Sequence, residues 1–419
     1  MADPASRPRL LLLLPSTTYR ATAFVEAARR LDLDLTVATD RPSVFAALEP
    51  ERLVTFDFAH PERAAEQARE FAARHPLRAV VGVDDDTAVI AAAIAEELRL
   101  PHNPLAAARA ARDKHRQRVL HAERGVRVPE SALHEVSEPP AAVARDAPYP
   151  CVLKPLCLSA SRGVIRADTP EQFVAAHAAL ARILAPEVAA LGTAARRYLV
   201  ERFVPGPEVA LEGLLVGGRL QVLALFDKPD PLDGPYFEET MYITPSRLPW
   251  GVQRAVGECA GRAAEALGLV TGPIHAELRV GEGGPWLIEI AARPIGGRCS
   301  RVLRFGEGPD AISLEELLLR QAAGLSIQTC QREAQPVGVM MLPTPRAGRL
   351  RGVGGADAAL GVPGVEGIEI TTYPGQHLVP LPAASRYLGF IFARAASAAA
   401  VEAALRRAHS CLSFDIEPE

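Results

Sequence analysis

The first hundred residues alternate apolar runs with amphipathic stretches. Strand-length apolar segments fall at residues 9–14, 35–38, 53–56 and 79–83, and helical periodicity appears at residues 21–30, 62–74 and 87–98. Strands alternating with helices of that length predict a parallel, doubly wound sheet, with its ligand edge at the loops after the strands, residues 15–18 and 84–86. No G-x-G-x-x-G follows the first strand, which argues against a dinucleotide site. The run Asp84-Asp85-Asp86 has two readings: it meets a cation or an amine, or it caps the helix that follows.

Asn103-Pro104 predicts an N-cap and first-turn proline for one helix reaching about Arg124. From Tyr149 the pattern reads strand, small-residue loop, strand. Lys154 closes the first of these strands, and residues 159–163 (SASRG) offer hydroxyls and backbone N–H groups to phosphates. A helix over 170–184 follows, then a strand ending at Glu201, a Pro205-Gly206-Pro207 linker and a hairpin from Glu208 to about Lys228 that turns at Gly217-Gly218. A helix over 252–267 leads into a second hairpin. Beyond it come a helix over 313–323, a linker over 329–336 and a glycine-rich tail with a last helix over 398–408, which reads as a small α+β module.

The second hairpin is the most informative stretch, HAELRVGEGGPWLIEIAARPIGG from His275 to Gly297. Centring its turn on Gly283 makes Glu277 and Glu289 direct cross-strand partners. Leu278, Val280, Trp286, Ile288 and Ile290 then share the apolar face, and Glu277, Arg279 and Glu289 the other. Opposed carboxylates repel unless a positive group lies between them. A divalent cation with oxygen ligands answers that need, Mg²⁺ in particular; the alternative is a solvated face with Arg279 as partner.

Composition excludes more than it assigns. An apolar fraction of 48% and a net charge of −4 describe an ordinary globular chain with no electrostatic footprint for nucleic acid or anionic membrane. The run Leu10–Leu14 is too short for a membrane span or a cleavable leader. The six cysteines lack metal-ligand spacing and read as reduced thiols, with the cytoplasm as the expected compartment. Only three of 46 basic residues are lysines, Lys114, Lys154 and Lys228. Lysine retained in so arginine-rich a chain suggests sites that need a compact ammonium, such as a phosphate cradle; the alternative is chance survival. None of the three follows a glycine, so the chain has no Walker loop.

Lys114, Lys154, the S-x-S-x-G loop, the E-x-x-V-x-G-x-E run from Glu201 to Glu208, and the Glu277/Glu289 pair followed by Arg293 arrive in one order. Together they resemble the ATP-grasp superfamily. The segments FDKPDPLDGPYFEETMYITPSRLP and EIAARPIGG look like its L-amino acid ligase branch. The resemblance implies an N-terminal α/β domain over residues 1–102, an ATP-grasp domain over 103–328 with a lid at about 149–205, and a C-terminal α+β domain over 329–419. It implies ATP at Lys114, Lys154, Ser161, Glu201, Val204 and Glu208, and Mg²⁺ (or Mn²⁺) at Glu277 and Glu289. Arg293 would hold the reacting carboxylate beside Gly296 and Gly297, and Lys228 would join Arg293 as a catalytic residue. The implied activity is amide formation between a carboxylate and an amine, both small molecules and expected to be amino acids, through an acyl phosphate. The alternatives are a ligase for another acid, of the purine or carboxybiotin type, and a silent nucleotide-binding scaffold. A homodimer is compatible with this reading. One departure is Ala291, where many members carry an asparagine metal ligand.

Overall fold

The computed structural model describes residues 7–16, 18–43, 48–156, 158–327, 329–384 and 386–418. The first unit holds strands β1 (Arg9–Leu13), β2 (Asp34–Thr39), β3 (Leu53–Thr55) and β4 (Ala79–Gly82) and helices α1 (Ala21–Arg30), α2 (Pro61–Ala72) and α3 (Asp85–Glu97). The strands form a parallel sheet in the order β3-β2-β1-β4, as the alternation predicts. The apolar run of β1 is fully buried because helices cover both faces.

The single helix expected over 104–124 is two, α4 (Leu105–Arg112) and α5 (Lys114–Glu123). Asp113 breaks them: its backbone is extended and its carboxylate accepts from the Arg116 N–H at 3.0 Å, capping α5. Asn103 is not a helix cap. Its amide instead bonds the backbone of Val270 and Thr271, which ties this segment to the central sheet.

The next unit comprises β5 (Ser131–Glu135), α6 (Pro140–Asp146), β6 (Cys151–Pro155), β7 (Ile165–Ala167), α7 (Pro170–Leu184), α8 (Val188–Leu191) and β8 (Arg197–Arg202), with an antiparallel sheet ordered β5-β8-β6-β7 that takes in most of the segment expected as a lid, about 149–205. The hairpin β9 (Glu208–Val216) and β10 (Arg219–Asp227), strand β11 (Met241–Thr244), helix α9 (Trp250–Leu267) and the hairpin β12 (Gly272–Gly281) and β13 (Gly284–Ala291) follow. A short pair, β14 (Arg304–Phe305) and β15 (Ile312–Ser313), precedes α10 (Leu314–Ala323). The remaining elements are β16 (Val337–Leu342), β17 (Gly348–Gly354), α11 (Ala356–Leu360), β18 (Val365–Ile370), β19 (His377–Leu378), β20 (Gly389–Arg394), α12 (Ala398–Cys411) and β21 (Ser413–Glu417).

The C-terminal residues form an α+β unit with a three-stranded sheet of their own, β19-β17-β21, and also join the rest of the fold. Strands β16, β20 and β18 continue the central sheet, which runs β13-β12-β9-β10-β11-β16-β20-β18. Side chains alternate faces along β16. Val339 and Met341 face the core shared with the N-terminal sheet, whereas Met340 and Leu342 face α12. Cross-strand register carries the first face outward: Tyr242 lies opposite Val339, and Phe390 opposite Met341.

Candidate active site

The β12/β13 hairpin pairs Glu277 with Glu289, the register read from the sequence. A bulge just beyond Glu277 then shifts the turn-ward half by one residue, so that Leu278 faces Leu287 and Arg279 faces Trp286. Leu287 therefore enters the core in place of Ile288 and Trp286, which were expected there. Ile288 instead lines a cleft, and Trp286 packs under the Arg127 guanidinium at 4.4 Å.

That cleft, of about 420 Å³, lies between the central sheet, the β5-β8-β6-β7 sheet, the N-terminal unit and the β16/β20 face. It brings together Lys114, Lys154, Ser161, Glu201, Val204, Glu208, Glu277, Glu289, Arg293, Gly296 and Gly297 from the sequence reading. Lys228 is not among the residues that line it.

Each lysine is buried against carboxylate. Lys154, on β6, meets Glu201 of the adjacent β8 at 2.8 Å, and Arg118 of α5 takes the other oxygen of that carboxylate at 2.7 Å. Burial pushes the Glu201 carboxyl up, but the two cations outweigh it and hold it at about 2. Lys114, first residue of α5, donates to the Leu158 carbonyl at 2.9 Å and meets Glu289 at 3.1 Å. It thereby links the small-residue loop to the hairpin. In that loop Ala160 and Ser161 adopt left-handed backbone, a conformation that costs a non-glycine residue energy. Gly163 N–H and the Arg162 side chain fasten the same loop to Pro382 and Ala383 of the C-terminal region. Cys157, just before it, lies outside the described residues.

Lys228 sits behind the hairpin, 2.7 Å from Glu208, 2.6 Å from Glu239 and 3.1 Å from Glu277, with Tyr242 beneath its ammonium at 5.0 Å. Burial alone would lower its pKa; the three carboxylates raise it well above the ordinary lysine value, so the ammonium is permanent. Burial holds the Glu239 carboxyl above its usual range. Oxygens of Glu208, Glu239 and Glu277 lie within 4.8 Å of one another, a spacing that suits either the ammonium present or a metal ion. Arg279 pairs with Glu208 at 2.9 Å and fixes the Val204 and Leu232 carbonyls, so it is not the partner of the Glu277/Glu289 face.

Arg293 does not bridge to Glu289. It crosses to the N-terminal unit and meets Asp85 at 3.0 Å. The acidic run therefore divides its labour. Asp84 caps α3 in a reciprocal box with Thr87, Asp86 pairs with Arg112 at 2.9 Å, and Asp85 faces the cleft. Burial works against the Asp85 carboxylate, yet Arg293 and Arg112 hold its pKa below the usual range. Arg20 adds a second tie between the units by donating to the Pro294 and Ile295 carbonyls. Behind β12, Glu212 accepts from Ile295 N–H at 2.9 Å, and burial raises its pKa well above normal.

Comparison with known proteins agrees with this geometry. An ATP-grasp domain model matches residues 147–302, an ATP-grasp N-terminal domain model residues 25–102, and a model of L-amino acid ligase C-terminal domain 2 residues 340–417. The chain belongs to the ATP-grasp superfamily. The fold of this ATP-grasp protein is similar to that of an L-amino acid ligase from Bacillus licheniformis, with a TM-score of 0.82 at 24% identity over 98% of this chain and 99% of that one. In sequence it is 32% identical to carnosine synthase 1 of Gallus gallus over 80% of this chain, and 29% identical to alanine–anticapsin ligase of Bacillus subtilis over 47%. It spans 37% and 44% of the length of those two curated relatives. Among the described residues no helix is long and apolar enough to cross a membrane.

Several cleft residues of this ATP-grasp protein were not singled out in the sequence: Glu239, Tyr242, Met341, Tyr387 and Phe390. The first two lie in the FEETMYITP run that carries the family likeness, and that likeness was their only signal. The last three sit in the C-terminal region and reach the cleft only because β16 and β20 extend the central sheet.

Proposed function

We propose that this protein is an ATP-dependent carboxylate–amine ligase that joins amino acids through an acyl phosphate. The observation that carries the reading is the convergence on one cleft of two phosphate-competent lysines, a pair of opposed carboxylates and a buried arginine. In the proposed reaction a carboxylate oxygen of the acid attacks the γ-phosphorus of ATP and ADP leaves. The amine then attacks the acyl carbon, the C–O bond to phosphate breaks, and the amide, phosphate and one proton are released.

Within this reading Lys114 and Lys154 bind the phosphates as compact charges. Each exchanges a carboxylate partner for phosphate oxygen. The loop bearing Ser161 covers them and excludes water, which strengthens every charge interaction beneath it. Val204 and the apolar Ile288 wall suit the base, and Glu208 the ribose hydroxyls. Arg293 orients the acid's carboxylate, and with the backbone N–H groups of Gly296 and Gly297 it stabilises the oxyanion that forms on amine attack. Asp85 keeps that guanidinium aimed across the domain boundary while the site is empty of acid. Glu239, half-buried and lining the same cleft, suits an ammonium group. Lys228 acts through the carboxylates it holds, so we assign it a positioning role.

The donor set of Glu277 and Glu289, all carboxylate oxygen on paired strands, fits Mg²⁺, with Mn²⁺ an acceptable substitute. Bound there, the ion would supply charge neutralisation for the transferring phosphoryl group. Ala291 offers it no third side-chain ligand. The reading places the enzyme in the cytoplasm and is compatible with a homodimer.

The test is ATP turnover with and without an amino-acid mixture. The reading expects ADP, phosphate and a dipeptide, formed only when amino acids are present. ATP hydrolysis indifferent to them would overturn it.

A further inference from the structure

One wall of the cleft is apolar and aromatic, and its origin is the sheet register. Tyr242, Met341 and Phe390 occupy the same face of three neighbouring strands, β11, β16 and β20. All three line the cleft, together with Ile295 and Tyr387. Tyr387 meets the Phe390 ring edge-on at 5.9 Å. Two polar groups that touch this wall already have partners. Arg298, over the Phe390 ring at 5.4 Å, is paired with Glu369 at 2.9 Å, and the Tyr242 hydroxyl donates to Glu239 at 2.6 Å.

The floor of this wall is set by Gly297 and Met341. Gly297 has a left-handed φ of 57°, and a Cβ there would come within 2.6 Å of the Met341 sulfur. Met341 therefore fills the volume that a side chain at position 297 would otherwise take. A thioether flanked by rings offers polarisable, adaptable contacts that suit another ring or a long apolar chain. A charged side chain pressed against these rings and the thioether would lose its hydration there.

From this surface we infer that the acid accepted by the enzyme is an amino acid with a large apolar side chain, aromatic above all, and that the C-terminal region sets this preference. The inference rests on the ligase reading given above and deepens it. The wall belongs to the acid rather than the amine because it is continuous in the chain with the acid's anchor. Arg293, Gly296 and Gly297 hold the carboxylate, and Ile295 and Met341 lie immediately beside them. An acid held there projects its side chain onto the Tyr242, Met341 and Phe390 face.

The experiment supplies the wild type with ATP, Mg²⁺ and equimolar L-phenylalanine, L-leucine, L-alanine, L-aspartate and L-lysine. Tandem mass spectrometry then reads which residue is N-terminal in each dipeptide, because the acid donor becomes that residue. Phenylalanine or leucine should exceed alanine, aspartate and lysine there by on the order of 10-fold or more, the scale on which apolar pockets discriminate. Met341→Ala should deepen the floor and shift the N-terminal preference toward bulkier rings, tryptophan included, while leaving the C-terminal residue distribution unchanged. Phe390→Leu, a milder exchange that keeps the core filled, should lower the phenylalanine to leucine ratio. Dipeptides with alanine, aspartate or lysine as the favoured N-terminal residue would overturn the inference and leave the ligase reading intact, as would a Met341→Ala effect confined to the C-terminal residue. If no mixture gives ADP and an amide, both readings fall together.

Discussion

Replacing Lys228 by methionine removes one buried ammonium from among three half-buried carboxylates, and the structure says where the cost falls. Glu208 keeps Arg279 at 2.9 Å, Glu239 keeps the Tyr242 hydroxyl at 2.6 Å, and Glu277 keeps His275 at 3.7 Å and a hydrogen bond with the neighbouring Glu239 carboxyl. Breaking a buried ion pair by deleting one partner typically costs about 3–5 kcal/mol. Because each of the three carboxylates retains a partner, the lower end, about 3 kcal/mol at neutral pH, is expected. The loss should depend on pH in a defined direction. Burial already holds the Glu239 carboxyl above its usual range, with Lys228 pulling it back down, so the substitution raises it further. A group with a raised folded-state pKa stabilises fully below its unfolded value, about 4.3, and loses that contribution as pH rises through the folded value. Each carboxyl kept protonated in the fold therefore costs about 1.4 kcal/mol per pH unit across that window. Urea unfolding of wild type and Lys228→Met at pH 5 and pH 8 makes the comparison, and the gap between them should be wider at pH 8. A second readout follows from the 4.8 Å spacing of the three carboxylates: without the ammonium, Mn²⁺ should raise the stability of the variant. An equal gap at both pH values, or a variant indifferent to Mn²⁺, would refute the account of Lys228 as the cluster's resident cation.

Lys154→Arg should sharply weaken ATP use, because a planar guanidinium in the space between β6 and β8 would bind Glu201 bidentately and would not present a point charge to phosphate; the KM for ATP and the turnover rate check this. Glu289→Gln should abolish ligation with the fold intact, since Glu289 lies at the cleft, where Lys114 meets it at 3.1 Å; circular dichroism and ADP release measure the two halves separately. His121 is fully buried, and burial with Arg118 nearby lowers its pKa to about 4. A base with a depressed folded-state pKa stabilises above its unfolded value, so stability should fall as pH drops from about 6.5 toward 4, by about 3 kcal/mol in all; His121→Gln should flatten that slope in urea titrations.

Most of the strands and helices were legible because local rules and the tertiary solution agreed. The helix at Ala21–Arg30 and the one at Pro170–Leu184 fall where the periodicity put them, and the Glu277/Glu289 pairing follows from the turn. The failures have physical causes outside any local window. The bulge beyond Glu277 moved Trp286 and Ile288 because a one-residue shift exchanges the faces of a strand. Asp113 split a helix whose periodicity alone was continuous, since its carboxylate caps α5. Asp85, the partner of Arg293, comes from α3 more than two hundred residues earlier, and two of the three partners of Lys228 lie on other strands, so spacing along the chain identified neither set. Met341, Tyr387 and Phe390 were invisible as cleft residues for the same reason: a strand that extends a distant sheet looks locally like any other.

Labelling the acid decides the central claim most directly. If its carboxylate attacks the γ-phosphorus, one carboxylate oxygen leaves with the phosphate when the amine displaces it. A reaction run with ¹⁸O-labelled amino-acid carboxylate, ATP and Mg²⁺ should yield ADP and inorganic phosphate carrying one ¹⁸O, together with an amide that has lost one label. Label appearing in AMP, with pyrophosphate as the other product, would contradict the acyl-phosphate route, and unlabelled phosphate would show that ATP is hydrolysed without passing through the acid at all.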